Sequence, residues 1–245
     1  MFMKTETYKK AGLLALALGC IVVFSCATNV ITGQTVKETR NVSEFDGVAL
    51  AFSGDVYITQ GSPQKVEIEA EKSTLEIIET KVENNVLVLK TRNGHWRDLG
   101  SIKAYITMPD VRELSVSGSG DMLCETPLRT NEIEVKVSGS GSIKIRKLES
   151  REFSAVITGS GDITLAGTGA DQGEMDVVIT GSGNFSAEEL PVGKADVNIT
   201  GSGSARVNVL NELETTITGS GSVLYKGNPR INANATGSGR TKSLN

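Results

Sequence analysis

Seven times between residues 115 and 244 the chain writes the triplet Gly-Ser-Gly, in "SVSGSGDMLC", "KVSGSGSIKI", "VITGSGDITL", "VITGSGNFSA", "NITGSGSARV", "TITGSGSVLY" and "NATGSGRTKS". The third glycines are Gly120, Gly141, Gly161, Gly183, Gly203, Gly221 and Gly239, spaced by 21, 20, 22, 20, 18 and 18 residues. A near-constant period of about 20 residues restricts the fold to a stacked array, because one such unit cannot bury a core alone. Propeller blades need about 40 residues, so this period is too short for them.

Alignment on the third glycine shows what each unit builds. Four residues before it stand Val116, Val137, Ile157, Ile179, Ile199, Ile217 and Ala235, and six before it Leu114, Val135, Ala155, Val177, Val197, Thr215 and Ala233. Two residues after it stand Met122, Ile143, Ile163, Phe185, Ala205, Val223 and Thr241, and four after it Cys124, Ile145, Leu165, Ala187, Val207 and Tyr225. The residues between are mostly polar. This is period-two alternation on both sides of a glycine corner, the pattern of two half-buried strands. Stacked in parallel, equivalent strands pair at about 4.8 Å and the apolar columns merge. The expected fold is all-β, a parallel β-solenoid of 18–22 residues per rung, right-handed because parallel crossovers almost always are. Glycine serves the corner because it adopts angles closed to other residues and leaves no side chain between stacked backbones. The serine between the glycines is free to face solvent or to hydrogen-bond along the stack.

The frame extends upstream. "VALAFSGDVYIT" (48–59) fits with Gly54 in the third-glycine position, and "KVEIEA" (65–70), "NVLVLK" (85–90) and "IKAYITM" (102–108) alternate like further strands. This half reads as the start of the same solenoid with longer, less regular rungs.

The N-terminus is a targeting segment. Lys4, Lys9 and Lys10 precede "AGLLALALGCIVVF", an uncharged run of 14 residues, shorter than the roughly 20 that span a bilayer. It ends at "VVFSC", a lipobox-like site in which Cys26 follows the small residue Ser25; Cys20 in "LALGC" is the second candidate. The expected organisation is a lipoprotein signal peptide over 1–25, a linker over 26–41 after a lipidated Cys26, and one solenoid domain over 42–245. Cleavage before Cys26 leaves 25 − 3 = 22 Lys+Arg against 29 − 1 = 28 Asp+Glu, a net charge of −6. An acidic exported chain without a basic cluster argues against nucleic acid as partner. The lipid would be its contact with the membrane. With Cys26 lipidated and Cys20 removed, Cys124 alone remains, which excludes an intrachain disulfide.

"RNVSEFDGVALAFSGDVYITQGSPQKVEIEA", "VENNVLVLKT" and "AYITMPDVRELSVSGSGDM", with the later corners, resemble the head GIN domain family over about residues 40–245. That family is described as auto-transporter adhesins and is common among lipid-anchored bacterial proteins. The resemblance implies a β-helical solenoid at the cell envelope and assigns no catalytic residue or cofactor.

The residues themselves offer few chemical constellations. His95, the only histidine, stands beside Trp96, the only tryptophan, in "RNGHWRD". The pair could form a binding loop, or Trp96 could fold over the end of the sheet. One histidine excludes a multi-His metal site. The position after the third glycine reads Asp55, Asp121, Ser142, Asp162, Asn184, Ser204 and Ser222. Asp121 and Asp162 would lie two rungs, about 9.6 Å, apart, near the carboxylate separation of an inverting glycosidase. Asp, Asn and Ser beside a turn more ordinarily bond local backbone. The position before the triplet reads Ser117, Ser138, Thr158, Thr180, Thr200, Thr218 and Thr236, a hydroxyl column that suits the wet face of a sheet. Cys124 belongs to an inward column and is expected to pack, not to react.

The expected function is therefore an exported, lipid-anchored, non-enzymatic adhesin or binding module of the bacterial outer membrane, its orientation toward periplasm or surface left open. It needs no cofactor or metal and takes a glycan or protein ligand. The alternatives are a carbohydrate-active enzyme on the same scaffold and a ligand-free envelope spacer. The incomplete last rung, "GSGRTKSLN", leaves a sheet edge through which copies could associate.

Overall fold

The computed structural model describes residues 34–92, 94, 99–167 and 173–244. The signal segment, both lipidation candidates Cys20 and Cys26, and the His95–Trp96 pair lie outside the described residues.

Strands fall into two stacks joined at the glycine corners. The first contains, in spatial order, β5 (Ile78–Glu83), β6 (Val86–Thr91), β2 (Gly47–Ala51), β8 (Glu113–Gly118), β11 (Glu132–Gly139), β13 (Glu152–Gly159) and β15 (Glu174–Gly181). It continues through the C-terminal parts of β16 (Asn184–Gly201) and β17 (Ser204–Gly219) to β19 (Arg230–Gly237). The second stack runs from β1 (Thr35–Thr39) and β4 (Lys65–Glu71) through β7 (Lys103–Met108), β3 (Asp55–Gln60), β9 (Asp121–Cys124), β12 (Ser142–Glu149) and β14 (Asp162–Gly167). The N-terminal parts of β16 and β17, then β18 (Ser222–Lys226) and β20 (Arg240–Ser243), complete it. A short third run begins at β10 (Leu128–Arg129), which pairs with the end of β12.

Pairing is parallel throughout the repeat, so the chain is a parallel β-solenoid, as the period requires. Register places like on like: Ile143, Ile163, Phe185, Ala205 and Val223 are successive partners, and all are fully buried. The columns of Val116 and Leu114 stack in the same way and are buried up to Ile217 and Thr215. These columns form one continuous core.

The glycines of each corner do different work. The first glycine has φ between +116° and +126°, from Gly118 to Gly237, a region that side chains disfavour. The third has ordinary φ but no room: a Cβ on Gly203 would stand 2.6 Å from the Gly183 carbonyl oxygen and 2.7 Å from Ile179 Cγ2. Corner backbones bond rung to rung, as where Ser140 N–H donates to Gly118 O at 2.9 Å and Ser182 N–H to Gly159 O at 2.8 Å.

The upstream half departs from a simple continuation. Asp55 pairs with Asp121, which confirms Gly54 as a corner, but β2 and β3 lie between the rung of residues 86–108 and that of β8 and β9. After β3 the chain leaves the stack, and β4 and β5 run antiparallel to β7 and β6. Alternation marks a strand but carries no direction, so the reversal is invisible in the pattern. The helix α1 (Lys72–Leu75) buries Leu75 at this end. Part of the stretch read as linker, Thr35–Thr39, is β1, paired antiparallel with β4.

Candidate functional site

Three polar columns run side by side along the glycine corner. The first is Ser117, Ser138, Thr158, Thr180, Thr200, Thr218 and Thr236, each in direct register with the next and all exposed. The second is the central serine of each triplet, from Ser119 to Ser238, also exposed throughout. Among the described residues no protein group hydrogen-bonds to the hydroxyls of either column, although the backbone N–H groups of the corner are engaged between rungs. Neighbouring hydroxyls thus repeat at the strand spacing of about 4.8 Å with their bonding capacity open to solvent or ligand.

The third column behaves otherwise. Ser142 donates its hydroxyl to Asp121 Oδ1 at 2.7 Å and its N–H to the same oxygen at 3.1 Å. Asn184 repeats this on Asp162, with Nδ2 at 2.9 Å and N–H at 3.1 Å, and Ser204 donates to Asn184 Oδ1 at 2.8 Å. Asp121 and Asp162 lie two rungs apart, each accepting hydrogen bonds from the rung that follows. Their carboxylates tie rungs together.

Two features of the outer faces escaped sequence reading. Seven residues before the third glycine stand Glu113, Glu134, Asp176, Asp196 and Glu214, and nine before it Glu132, Glu152, Glu174 and Glu212, with Lys194 and Arg230 in the same column. The register puts each set in one column, giving the first stack an acidic face. The same alignment that revealed the apolar columns contains this signal. Lys136 bridges its own neighbours, 2.7 Å from Glu134 and 3.3 Å from Glu113, and hydrogen bonding to Glu134 holds its ammonium above the usual lysine range. The second feature is a stacked pair, Tyr57 and Tyr105, with ring centroids 5.3 Å apart and Lys37 Nζ 3.9 Å over the Tyr105 ring. Burial, followed by the charge of Glu69, pushes the Tyr105 phenol up.

Cys124 is buried in its inward column, and burial pushes its thiol up to about 12. Among the described residues no group of three or more His, Cys, Asp or Glu is placed to hold a metal ion. No helix among them is long and apolar enough to cross a membrane.

A parallel β-solenoid that carries polar columns in register along its glycine corners defines the class: a stacked-repeat scaffold. The chain belongs to the family described as "Putative auto-transporter adhesin, head GIN domain", whose model matches residues 44–229. Its fold is shared with a solved protein from Bacteroides fragilis described as a putative adhesin, at 23% identity and a TM-score of 0.75, covering 86% of this chain and 97% of that one. A Parabacteroides distasonis protein described as a putative lipid binding protein is similar at 21% identity and TM-score 0.71, with 87% and 98% covered. So is a Parabacteroides merdae protein described as a putative adhesin, at 22% and 0.69, with 87% and 98% covered. No curated protein matches the sequence.

Proposed function

We propose that the protein is an exported adhesin, anchored by lipid at Cys26 in the outer membrane, that binds without catalysing. It recognises a repetitive, hydroxyl-rich surface glycan along the corner. The observation that carries this reading is the pair of in-register columns, Ser117 to Thr236 and Ser119 to Ser238, exposed and, among the described residues, without protein partners. A periodic ligand meets such a surface at many equivalent points, so weak contacts add along its length. Membership of the adhesin family and adhesin-named structural relatives support the same reading. The acidic face of the first stack would discourage contact with anionic lipid and leave the neutral corner as the recognition edge.

The test is an array of polysaccharides and host-matrix glycans probed with the full chain in mild detergent. A triple variant, Thr158→Val, Thr180→Val and Thr200→Val, keeps shape and strand preference but removes three hydroxyls. At about 0.5–1.5 kcal/mol for each net hydrogen bond, its affinity should fall at least tenfold. Absence of any retained glycan, or a triple variant that binds as well as the parent, would reject the proposal and leave the spacer reading. Release of shortened glycan that disappears in an Asp121→Asn/Asp162→Asn variant would point instead to an enzyme.

A further inference from the structure

The regular face of the second stack is interrupted on both sides of β14. Toward β12 the pairing passes from Ile145 with Leu165 to Leu148 with Gly167. Toward β16 it passes from Thr164 with Ser186 to Ala166 with Glu189. Each flanking strand thus carries one residue more than β14 at this level. Each is a β-bulge, and a bulge re-aims side chains that a regular strand would alternate. On β12 it leaves Arg146 and Lys147 exposed in succession. On β16 it sets Glu188 and Glu189 between the buried Ala187 and Leu190. Between the bulges β14 presents the short side chains of Thr164 and Ala166, the floor of a groove of about 550 Å³.

The charge of this groove is opposite to that of the chain, which carries −4. Lys144, Arg146 and Lys147 form one wall, Glu188 and Glu189 the other, and Lys226 reaches in from β18. Glu188 is already neutralised: Lys226 and Arg206, each 3.0 Å from its carboxylate, hold it below the usual carboxylate range. Arg146 has a loose partner, Glu125 at 3.9 Å. Among the described residues Lys144 and Lys147 have no ion-pair partner. The sequence shows a short run, Lys-Ile-Arg-Lys over 144–147, and stacking adds Arg206 and Lys226 to it from β17 and β18.

We propose that this groove binds an acidic sugar of a polysaccharide, its anionic group at Lys144 and Lys147 and its hydroxyls toward Thr164, Ser186 and Glu189. The inference rests on the reading of the protein as a glycan binder; it adds the charge of the ligand and a second contact apart from the corner. An unpaired ammonium is a point charge that takes a carboxylate or a sulfate without breaking a bond within the protein. The opposite wall and the floor offer acceptors, which suits a ligand that donates hydroxyls as well as carrying negative charge. An acidic peptide brings few hydroxyls. A phospholipid would need an apolar slot for its chains, whereas Ile145 and Leu165 beside the groove are buried. Thr164 follows Ser160 of the corner by four residues, a reach of no more than about 14 Å, so one glycan can touch both places.

The test is affinity electrophoresis of the full chain, in mild detergent, through gels that contain polygalacturonate. The parent should be retarded, and less so as salt rises. Lys144→Gln/Lys147→Gln should weaken retention at least tenfold. Lys65→Gln/Lys90→Gln, which removes the same charge from upstream strands, should keep the parent's affinity. A parent that is not retarded, a groove variant that binds as the parent does, or equal losses in the two double variants would overturn the proposal. Equal retention by poly-glutamate would show that charge alone is read and would overturn the polysaccharide assignment. The corner is judged separately. A neutral glycan that the Thr158, Thr180 and Thr200 triple variant loses, with no retention by polygalacturonate, leaves the corner standing and removes the groove. Polygalacturonate retention lost in the groove variant supports the groove even where the triple variant binds as the parent does.

Discussion

The corner glycines permit two costs to be measured separately, because conformation and crowding occur together at some positions and apart at others. Gly118 has φ +126° and nothing within 4 Å of an added Cβ, so Gly118→Ala imposes backbone strain alone. Gly203 has no unusual φ, but its added Cβ would stand 2.6 Å from Gly183 O and 2.7 Å from Ile179 Cγ2, so Gly203→Ala imposes crowding alone. Gly139 combines them, with φ +126° and a contact of 2.5 Å to Gly118 O. Holding a side chain in a sparsely populated region costs about 1–3 kcal/mol. Overpacking against a backbone that cannot withdraw costs a similar amount, about 1–3 kcal/mol. Gly118→Ala and Gly203→Ala should each lower stability by roughly 2 kcal/mol, and Gly139→Ala by about the sum. For a chain of this size 2 kcal/mol is about 4–8 °C in thermal midpoint. Far-UV circular dichroism during heating and urea titration reads the effect. Stacked repeats unfold through nearest-neighbour coupling, so midpoints should be compared between variants of one rung, Gly139→Ala with Gly141→Ala, as well as across rungs. A Gly118→Ala protein as stable as the parent would refute the claim that the first glycine is needed for its dihedral angle. A neutral Gly203→Ala would refute close stacking as the role of the third.

The thiol of Cys124, pushed up to about 12 by burial, carries at pH 8 about a thousandfold less thiolate than an ordinary cysteine. Native protein should resist a thiol reagent until unfolded, and complete labelling within seconds under native conditions would contradict its place in the core. The sign of its linkage follows: a raised folded-state value gives stability that is whole below the unfolded thiol's value near 8.5 and lost as pH climbs toward 12. Alkaline unfolding of Cys124→Ala should therefore lack that component. Glu188 is held below the usual carboxylate range by its hydrogen bond from Lys226 first and from Arg206 next, at 3.0 Å each. Its contribution is present above the unfolded value near 4.3 and is lost as pH falls. Glu188→Gln should cost no more than about 1 kcal/mol at pH 7, in line with surface ion pairs, and urea midpoints of variant and parent should converge below pH 4.

The repeat made most of the core legible because a solenoid converts sequence period into spatial register. Once Gly141, Gly161 and Gly183 are aligned, the apolar residues two positions on, Ile143, Ile163 and Phe185, must meet, and they do. The alignment also located Gly54 as a corner, since Val48 and Leu50 fall in register with Leu114 and Val116. It could not foretell that β4 and β5 reverse direction or that β2 slots between β6 and β8. Those outcomes depend on how residues 61–112 leave and re-enter the stack, and no local propensity encodes that path. At the corner, the sequence placed Asp121 and Asp162 two rungs apart but did not show Ser142 and Asn184 bonded to them. The acidic columns beginning at Glu113 and Glu132 follow from the same alignment, because outward positions share the register of the inward ones.

Stacking at about 4.8 Å imposes a rule on every outward column: whatever one rung displays, the next displays within bonding distance. Like charges so placed repel, and the chain meets this in three ways. After the glycines Asp55 and Asp121 adjoin directly, but from Asp121 onward acceptors interleave with donors, so that Asp121 meets Ser142 and Asp162 meets Asn184. On the first stack it allows Glu113 and Glu134 to adjoin but sets Lys136 between them. Before the glycines it uses hydroxyls, which neither repel nor need one another. A column that bonds within itself, as the one after the glycines does from Asp121 onward, has little left to offer a partner. The hydroxyl columns make no hydrogen bond to another group among the described residues. Recognition is therefore best sought there, because binding need not break a bond within the protein.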